Sequence, residues 1–291
     1  MSVSDWFIAF NRNLIVSNAG DISYRYRRIT RQLNTDFWDT ESESSHSLYV
    51  GSYGRDSAID GISDIDMAFW LPYSIYKRYN EYSGNGQSAL LQSVKTSIQK
   101  TYPSTALGAD GQVLVVSFSD GMKFEVLPCF ENNDDSFTYP DSNDGGRWRT
   151  TNPRAEIKAM KLRHEAVNNN LRPLCRMMRS WKYKWDVPIS GVLIDTLAYQ
   201  FLETYEYRDK SYMYYDWICR DFFDHMAIQP SDKSYWLAPG SGRYVWRSGT
   251  FEHKARRCCN LAKDAIAYES KQQHYSAKST WREIFGSAFP S

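Results

Sequence analysis

The segment VGSYGRDSAIDGISDIDMAFW, residues 50–70, has the clearest structural pattern in the sequence and contains the first candidate site residues. Its first part places Gly51 and Ser52 in a glycine-rich turn, where small residues let the backbone approach an anion closely. Its second part alternates aspartates with apolar side chains, which is typical of a half-buried β-strand. That alternation puts Asp64 and Asp66 on one face of the strand, about 6–7 Å apart.

Two carboxylates on one face repel each other, and they stay ionised together when cations lie between them or water screens them. A pair of metal ions about 3.5–4 Å apart fits the spacing of Asp64 and Asp66. Mg²⁺ suits such a site because it accepts carboxylate, water and phosphate oxygens. Taken alone, an Asp-x-Asp pair is more often a solvated loop or strand edge, so the metal hypothesis needs a third carboxylate.

A predicted β-hairpin supplies that third carboxylate. The runs VLVVSF and MKFEVLP flank Asp120-Gly121, a pair typical of a type I′ turn. In the second run, Glu125 lies between two apolar residues in the interior of the strand. A carboxylate in that position needs a partner, and a metal ion shared with the two aspartates would be one.

The rest of the pattern predicts an α+β fold with a mixed α/β half followed by an all-helical half. We expect residues 1–150 and 151–291 to form separate domains, with the polar segment 131–151 as a connector between two lobes. The predicted elements are helix at 3–34, strands at 47–51 and 64–70, helix at 73–101 with a break at 83–86, the hairpin, helices at 153–168, 171–186, 190–206 and 212–227, a loop at 229–250 and a helix at 251–274.

The composition is that of an ordinary soluble globular protein, with 42% hydrophobic and 24% charged residues over 291 positions. Because the net charge is +1, no global field draws the chain to nucleic acid or membrane, and nucleic-acid binding is not expected by default. The five cysteines lack metal-ligand spacing, and the N-terminus has no basic, apolar leader pattern. No apolar run is long enough to span a bilayer. We therefore expect a cytoplasmic protein with no membrane partner.

Several segments together resemble the bacterial cGAS/DncV-like nucleotidyltransferases, also called CD-NTases. They are GSYGRDSAI, SDIDMAFWLP, FEVLPCF, TTNPRAEI and RMMRSWK, and the C-terminal run WREIFGSAFP is also typical of the family. The family lies within the DNA polymerase beta-like nucleotidyltransferase superfamily, whose pattern is G-S-x-x-x-x-[ST], D-x-D and a later Asp or Glu. The resemblance covers the full chain and implies a bilobed enzyme, in which a nucleotidyltransferase palm of mixed sheet and helices accompanies a helical lobe.

The resemblance also implies an activity. Enzymes of this family make cyclic di- or trinucleotide second messengers from nucleoside triphosphates in anti-phage signalling of the CBASS type. Their diffusible product switches on a downstream effector. The same resemblance implies that Asp64, Asp66 and Glu125 hold two Mg²⁺ ions, with Mn²⁺ as an alternative metal, and that these residues are catalytic.

The resemblance points to four further residues as candidate contacts for the donor triphosphate. Gly51 and Ser52 match the motif that holds it, and Lys182, at the end of RMMRSWK, matches a lysine that contacts it. Ser190 falls where relatives place a serine at the start of the next helix, and a helix N-terminus suits a phosphate. The alternatives are that Lys182 is an ordinary solvated lysine and that Ser190 is only a helix N-cap.

One position departs from the family. Several relatives carry a base-stacking tyrosine directly after the serine, whereas this chain has Gly191. The stacking group must therefore come from elsewhere. Tyr235 and Trp236 are candidates, although two aromatic residues in a loop more often pack onto the domain surface.

Two other functions fit the same residues. The first is a nucleotidyltransferase that makes a linear oligonucleotide or modifies RNA, a small molecule or a protein. The near-zero net charge argues weakly against an RNA substrate. The second is a catalytically inactive nucleotide sensor, against which the three carboxylates argue.

Overall fold

A computed structural model describes residues 2–291 of the chain. The chain divides into two compact units. The sheet unit contains residues 17–55 and 61–157, and the helical unit contains the described residues up to 16, residues 56–60 and residues 158–291. These units differ from the predicted domains 1–150 and 151–291, because an N-terminal helix and a short internal segment belong to the helical unit.

The first half of the chain contains both helices and strands. They are α1 (Val3–Asn13), α2 (Ala19–Trp38), β1 (Ser47–Tyr49), α3 (Gly51–Gly54), β2 (Asp64–Trp70), α4 (Tyr73–Asn80), α5 (Gly86–Thr101), β3 (Ala106–Asp110), β4 (Val113–Ser117), β5 (Lys123–Glu131), β6 (Phe137–Asp141) and β7 (Arg147–Thr151). The second half is mainly helical, with α6 (Pro153–Ala166), α7 (Leu171–Lys184), α8 (Gly191–Thr204), α9 (Tyr215–Ala227), β8 (Tyr235–Leu237), β9 (Tyr244–Trp246), α10 (Glu252–Ser270) and α11 (His274–Phe285).

The sheet unit is built on a mixed sheet with the strand order β1-β2-β5-β4-β3, and β6 joins it by pairing with both β5 and β7. Only the β2–β5 pair is parallel; the other pairs of this sheet within residues 2–291 are antiparallel. Helices accompany this mixed sheet in one unit and dominate the other, so the predicted fold class is confirmed.

The predicted hairpin exists as β4 and β5, but its turn is not type I′. A type I′ turn needs positive φ at both central residues, and Asp120 is not among the residues with positive φ, whereas Gly121 has φ +89°. The loop has three residues, because the Phe118 N–H donates to the Met122 carbonyl at 2.8 Å. Asp120 keeps a negative φ. Its carboxylate accepts hydrogen bonds from the Met122 N–H and from the Arg25 guanidinium.

The prediction of a connector at 131–151 is wrong, because the segment forms the antiparallel pair β6–β7. Its polar residues hide the strand pattern. Asp141 is fully buried and accepts hydrogen bonds from Arg147 Nε at 3.0 Å and from Arg149 Nε at 2.6 Å. An Asp with two Arg partners takes a position in the sheet that an apolar residue usually fills.

The single helix predicted over residues 3–34 is two helices whose apolar faces serve different cores. In α1, Trp6, Phe7 and Phe10 are buried in the core of the helical unit, and the Phe7 ring lies 5.2 Å from that of Trp281, edge to face. In α2, the buried residues include Ile22, Tyr26 and Ile29, which belong to the sheet unit. The apolar spacing was correctly recognised, but it could not show where one helix ends and the next begins.

The helical unit also departs from the prediction near its end. The predicted helix at 251–274 is followed by a further helix, α11, and the predicted loop at 229–250 contains the hairpin β8–β9. In that hairpin Trp236 and Val245 are buried, and their neighbours in each strand are exposed. Among residues 2–291, no helix is both long and apolar enough to cross a membrane.

Candidate active site

The three predicted carboxylates lie on two neighbouring strands of the sheet unit. Strands β2 and β5 pair in parallel, with Asp66 opposite Glu125 and Asp64 opposite Lys123. Residues opposite each other in a ladder point to the same face, and adjacent strands are about 4.8 Å apart. The sheet therefore brings Asp64, Asp66 and Glu125 to one face, as the alternation predicted for the two aspartates.

The opposite face of the same strands is apolar and anchors the carboxylates. Ile65 and Met67 in β2, and Phe124 and Val126 in β5, are fully buried. A slip of one residue in either strand would exchange buried and polar faces, so burial of these four side chains opposes such a slip. The Lys123 N–H extends the pairing, because it donates to the Ser63 carbonyl at 2.7 Å.

The carboxylates disfavour one another's charged forms. Burial raises the pKa of Asp66, the Arg55 guanidinium lowers it and the neighbouring Asp64 raises it, with a net upward shift. The pKa of Glu125 is also raised, first by burial and then by Asp66 and Asp64. A cation beside these groups would favour their ionised forms.

The repulsion among the three carboxylates bears on whether these residues suit Mg²⁺. All the candidate ligands are carboxylate oxygens, the donors that Mg²⁺ prefers, and a cation would relieve the repulsion that raises the two pKa values. Within residues 2–291, no group of three or more His, Cys, Asp or Glu side chains is arranged so that it could hold a metal ion. Mg²⁺ in nucleotide sites commonly takes one or two carboxylates and completes its shell with water and phosphate oxygens. The donor chemistry fits.

The predicted glycine-rich turn is a single helical turn, α3, packed directly against Asp66. Gly51 has φ +60°, and a Cβ placed there would lie 1.7 Å from Asp66 Oδ2. The turn is tied to β2, because the Val50 N–H donates to the Asp66 carbonyl at 2.9 Å. At Gly54 a Cβ would lie 2.3 Å from the Tyr49 carbonyl oxygen. Both glycines are therefore required by close approach, and Ser52 sits between them, half-buried.

A buried ion pair beside the carboxylates was missed from the sequence. Arg55 and Glu156 are both almost fully buried, and their charged groups are 3.4 Å apart. Arg55 also lowers the pKa of Asp66, so it partly offsets the carboxylate repulsion. The position of Arg55 within GSYGRDS was the signal that could have identified it. Its partner Glu156 lies 101 residues further along the chain, where no local pattern connects the two.

Lys182 and Ser190 belong to the helical unit. Lys182 lies in the last turn of α7 and is half-buried, and burial together with the nearby Arg179 lowers its pKa. Ser190 caps α8, because its Oγ accepts the Leu193 N–H at 3.2 Å. Ser190 is thus a helix N-cap, and the phosphate roles of both residues stay predictions.

The structure also bears on the missing stacking group. A Cβ at Gly191 would lie 3.1 Å from Arg179 Nη2. Trp236 is 2% exposed and packs in the core of the helical unit, so it is not available to a base. Tyr235, with 39% of its surface exposed, is the accessible residue of the two candidates.

Comparison with known proteins gives the family. Residues 1–163 match the model of the Second Messenger Oligonucleotide or Dinucleotide Synthetase (SMODS) domain, which is more than half of the chain. The chain belongs to the SMODS family. The resemblance to CD-NTases drawn from its motifs is thereby confirmed.

A curated relative is a probable cyclic nucleotide synthase from Bacillus cereus (strain VD146), 23% identical over 176 residues. The alignment covers 58% of this chain and spans 52% of that protein, about half its length.

Solved structures of similar proteins give the fold. CdnC of E. coli MS115-1, in its complex with HORMA-deltaN, matches with a TM-score of 0.73 at 15% identity. The structure of CdnC with ATP matches with a TM-score of 0.70 at 16% identity. Each match covers 99% of this chain and 98% of CdnC. The CD-NTase CdnG of Bradyrhizobium diazoefficiens, in complex with GTP, matches with a TM-score of 0.66 at 11% identity, covering 97% of this chain and 94% of CdnG. At these identities the likeness establishes the fold.

Proposed function

We propose that this chain is a metal-dependent nucleotidyltransferase that joins nucleoside triphosphates into a cyclic di- or trinucleotide second messenger. The observation that carries the proposal is the pairing of Asp66 with Glu125 on parallel strands, with Asp64 on the same face, in a chain of the SMODS family. ATP and GTP are the first substrates to test, because they are bound in the structures of CdnC and CdnG.

Asp64, Asp66 and Glu125 would hold one Mg²⁺ ion, and the two aspartates would share a second, with Mn²⁺ as an alternative metal. When bound, such ions lower the pKa of the acceptor ribose hydroxyl and neutralise charge on the donor triphosphate. The strands hold the three carboxylates in fixed positions, which is the main contribution a protein makes to this reaction.

The residues around the carboxylates have separate tasks in this proposal. Gly51 keeps the turn close to Asp66, so that Ser52 can contact the donor triphosphate. Lys182 would act as a point charge on the outer phosphates, and Ser190, with the backbone N–H groups at the start of α8, would cap them. No covalent enzyme intermediate is required, and ring closure requires the linear intermediate to bind again with its free hydroxyl as the acceptor.

The biological role extends the same proposal. The product is a diffusible signal that switches on a separate effector protein in anti-phage defence of the CBASS type, and the enzyme works in the cytoplasm. The family of the chain and its cyclic nucleotide synthase relative support the synthesis of a nucleotide messenger, which is the part of this role that concerns the enzyme itself.

The test is incubation of the purified chain with the four ribonucleoside triphosphates and Mg²⁺, followed by pyrophosphate measurement, phosphatase treatment and mass spectrometry. A cyclic product has no phosphatase-sensitive end, so it survives the treatment. The combined substitution Asp64→Ala with Asp66→Ala should abolish product and leave the fold intact, because it removes a repulsive pair. Glu43→Ala, at an exposed carboxylate, is the matched control and should leave activity unchanged.

Each other result points to a different function. Pyrophosphate release with a phosphatase-sensitive product would make the chain a linear nucleotidyltransferase. Triphosphate binding without pyrophosphate release would make it a sensor. Product from the double aspartate variant at the wild-type rate would place the active site elsewhere.

A further inference from the structure

A fully buried ion pair links two helices of the helical unit. Arg179 of α7 and Asp195 of α8 are 5% and 1% exposed, and both guanidinium nitrogens reach the carboxylate, at 2.6 and 2.9 Å. A two-point contact of this kind fixes the orientation of both groups. The same guanidinium donates to the Gly191 carbonyl at 3.1 Å, so it also binds the first turn of α8.

The third member of this network comes from the segment that follows the glycine-rich turn α3. Ser57 has no exposed surface, and its Oγ donates to Asp195 Oδ2 at 2.9 Å. In the pattern GSYGRDS, Ser57 is the final residue, five positions after Ser52 and seven before Asp64. The end of the motif is therefore attached to a buried carboxylate and is not exposed to solvent.

The network also restricts the residue at the start of α8. A Cβ at Gly191 would lie 3.1 Å from Arg179 Nη2 and 3.5 Å from its Nε. The end of a free arginine side chain would move away at little cost, but this guanidinium is held by Asp195. Arg179 thus favours glycine at 191, directly after Ser190.

We propose that Ser57, Asp195 and Arg179 are positioning residues for nucleotidyl transfer. The network fixes the segment that follows Gly51 and Ser52, and it fixes the start of α8, which carries Ser190. None of the three side chains contacts substrate; they act through the elements that they hold in place. The inference rests on the proposed function, since it assigns the network to that reaction.

The test compares two variants of equal size at one position. Ser57→Thr keeps the hydroxyl that donates to Asp195, and Ser57→Val replaces it with a methyl group. We expect kcat/KM for the triphosphate to fall about tenfold or more in Ser57→Val and to stay within about threefold of wild type in Ser57→Thr, because displacement of a positioned group by a fraction of an ångström slows reaction. Ser57→Ala replaces Ser57→Val if the larger side chain prevents folding.

Thr196→Val is the matched control for loss of a buried hydroxyl. Thr196 is fully buried in α8 beside Asp195, and its Oγ donates only within the helix, to the Val192 carbonyl at 2.8 Å. All variants are assayed at a temperature where circular dichroism shows each to be folded, and KM and kcat are determined separately. Binding is followed by the rise in Tm with a non-hydrolysable triphosphate, which we expect to be smaller for Ser57→Val than for Ser57→Thr.

Equal kcat/KM and equal Tm shifts in the Ser57 pair would overturn the proposal, as would equal losses in Ser57→Val and Thr196→Val. If the wild-type chain turns over triphosphate but Ser57→Val and Ser57→Thr have equal kcat/KM, only the positioning role of the network is overturned. A wild-type chain that neither binds nor turns over triphosphate overturns the proposed function, and this inference with it.

Discussion

The sharpest test of the carboxylate site is Gly51→Ala. The new Cβ would lie 1.7 Å from Asp66 Oδ2 and 2.5 Å from its Cγ, so the carboxylate or the turn must move by more than about 1 Å to reach an ordinary contact distance. A displacement of about that size in a catalytic site costs about a hundredfold in rate. The backbone adds a separate penalty, because alanine at φ +60° costs about 1–2 kcal/mol.

The two effects can be separated with Gly242→Ala. Gly242 has φ +67° and no atom within 4 Å of a Cβ, so this variant carries a similar backbone penalty without a clash. Thermal unfolding should show a Tm lower by a few degrees in both variants. Initial-rate assays of pyrophosphate release should show kcat/KM lower by about a hundredfold in Gly51→Ala and nearly unchanged in Gly242→Ala. If Gly51→Ala keeps more than about a third of wild-type kcat/KM, the turn does not control the position of Asp66 and our reasoning is refuted.

Three further predictions concern single side chains. Glu125→Gln should lower kcat about a hundredfold or more with a smaller change in the triphosphate KM, and its Tm without Mg²⁺ should be equal or higher because carboxylate repulsion is relieved; unchanged kcat with a weakened KM would make Glu125 a binding residue. Lys182→Ala should raise the triphosphate KM about tenfold at low salt and less at high salt, with little change in Tm, whereas a solvated lysine would show no change in KM at any salt concentration. Burial raises the pKa of Asp216 from 3.8 to about 6, so the folded state binds this proton more tightly and stability falls as the pH rises from about 4 to about 6. At a pH above both pKa values, the ionised Asp216 lowers the free energy of unfolding by about 3 kcal/mol. Denaturant titrations should show Asp216→Asn to be more stable than wild type at pH 8 and no more stable below about pH 4. An equal gain in stability at both pH values would contradict this account.

The sequence identified the features that depend on local pattern. The alternation of Asp64 and Asp66 with buried residues and the position of Glu125 inside a strand were readable because a strand has a period of two. Helical spacing similarly revealed most of the C-terminal helices. In each case the information lies within a few neighbouring residues.

Features that depend on distant residues were not accessible. The register that sets Asp66 opposite Glu125 joins strands far apart in the chain, and no local pattern specifies it. The partnership of Arg179 with Asp195 requires two helices to be packed. Strand β6 was hidden in part because Asp141, which is buried and pairs with Arg147 and Arg149, takes a position that an apolar residue usually fills.

The parallel pairing of β2 with β5 has a consequence for synthesis of the protein. Parallel neighbours cannot be joined by a hairpin, so the chain must make α4, α5, β3 and β4 before β5 is available to pair. A nascent chain on the ribosome, or one cut short before β5, carries Asp64 and Asp66 without Glu125. The three carboxylates can therefore lie on one face only after β5 has been made and has paired with β2. Loop closure over so long a crossover is also entropically costly, and we expect this pairing to be among the later events in folding.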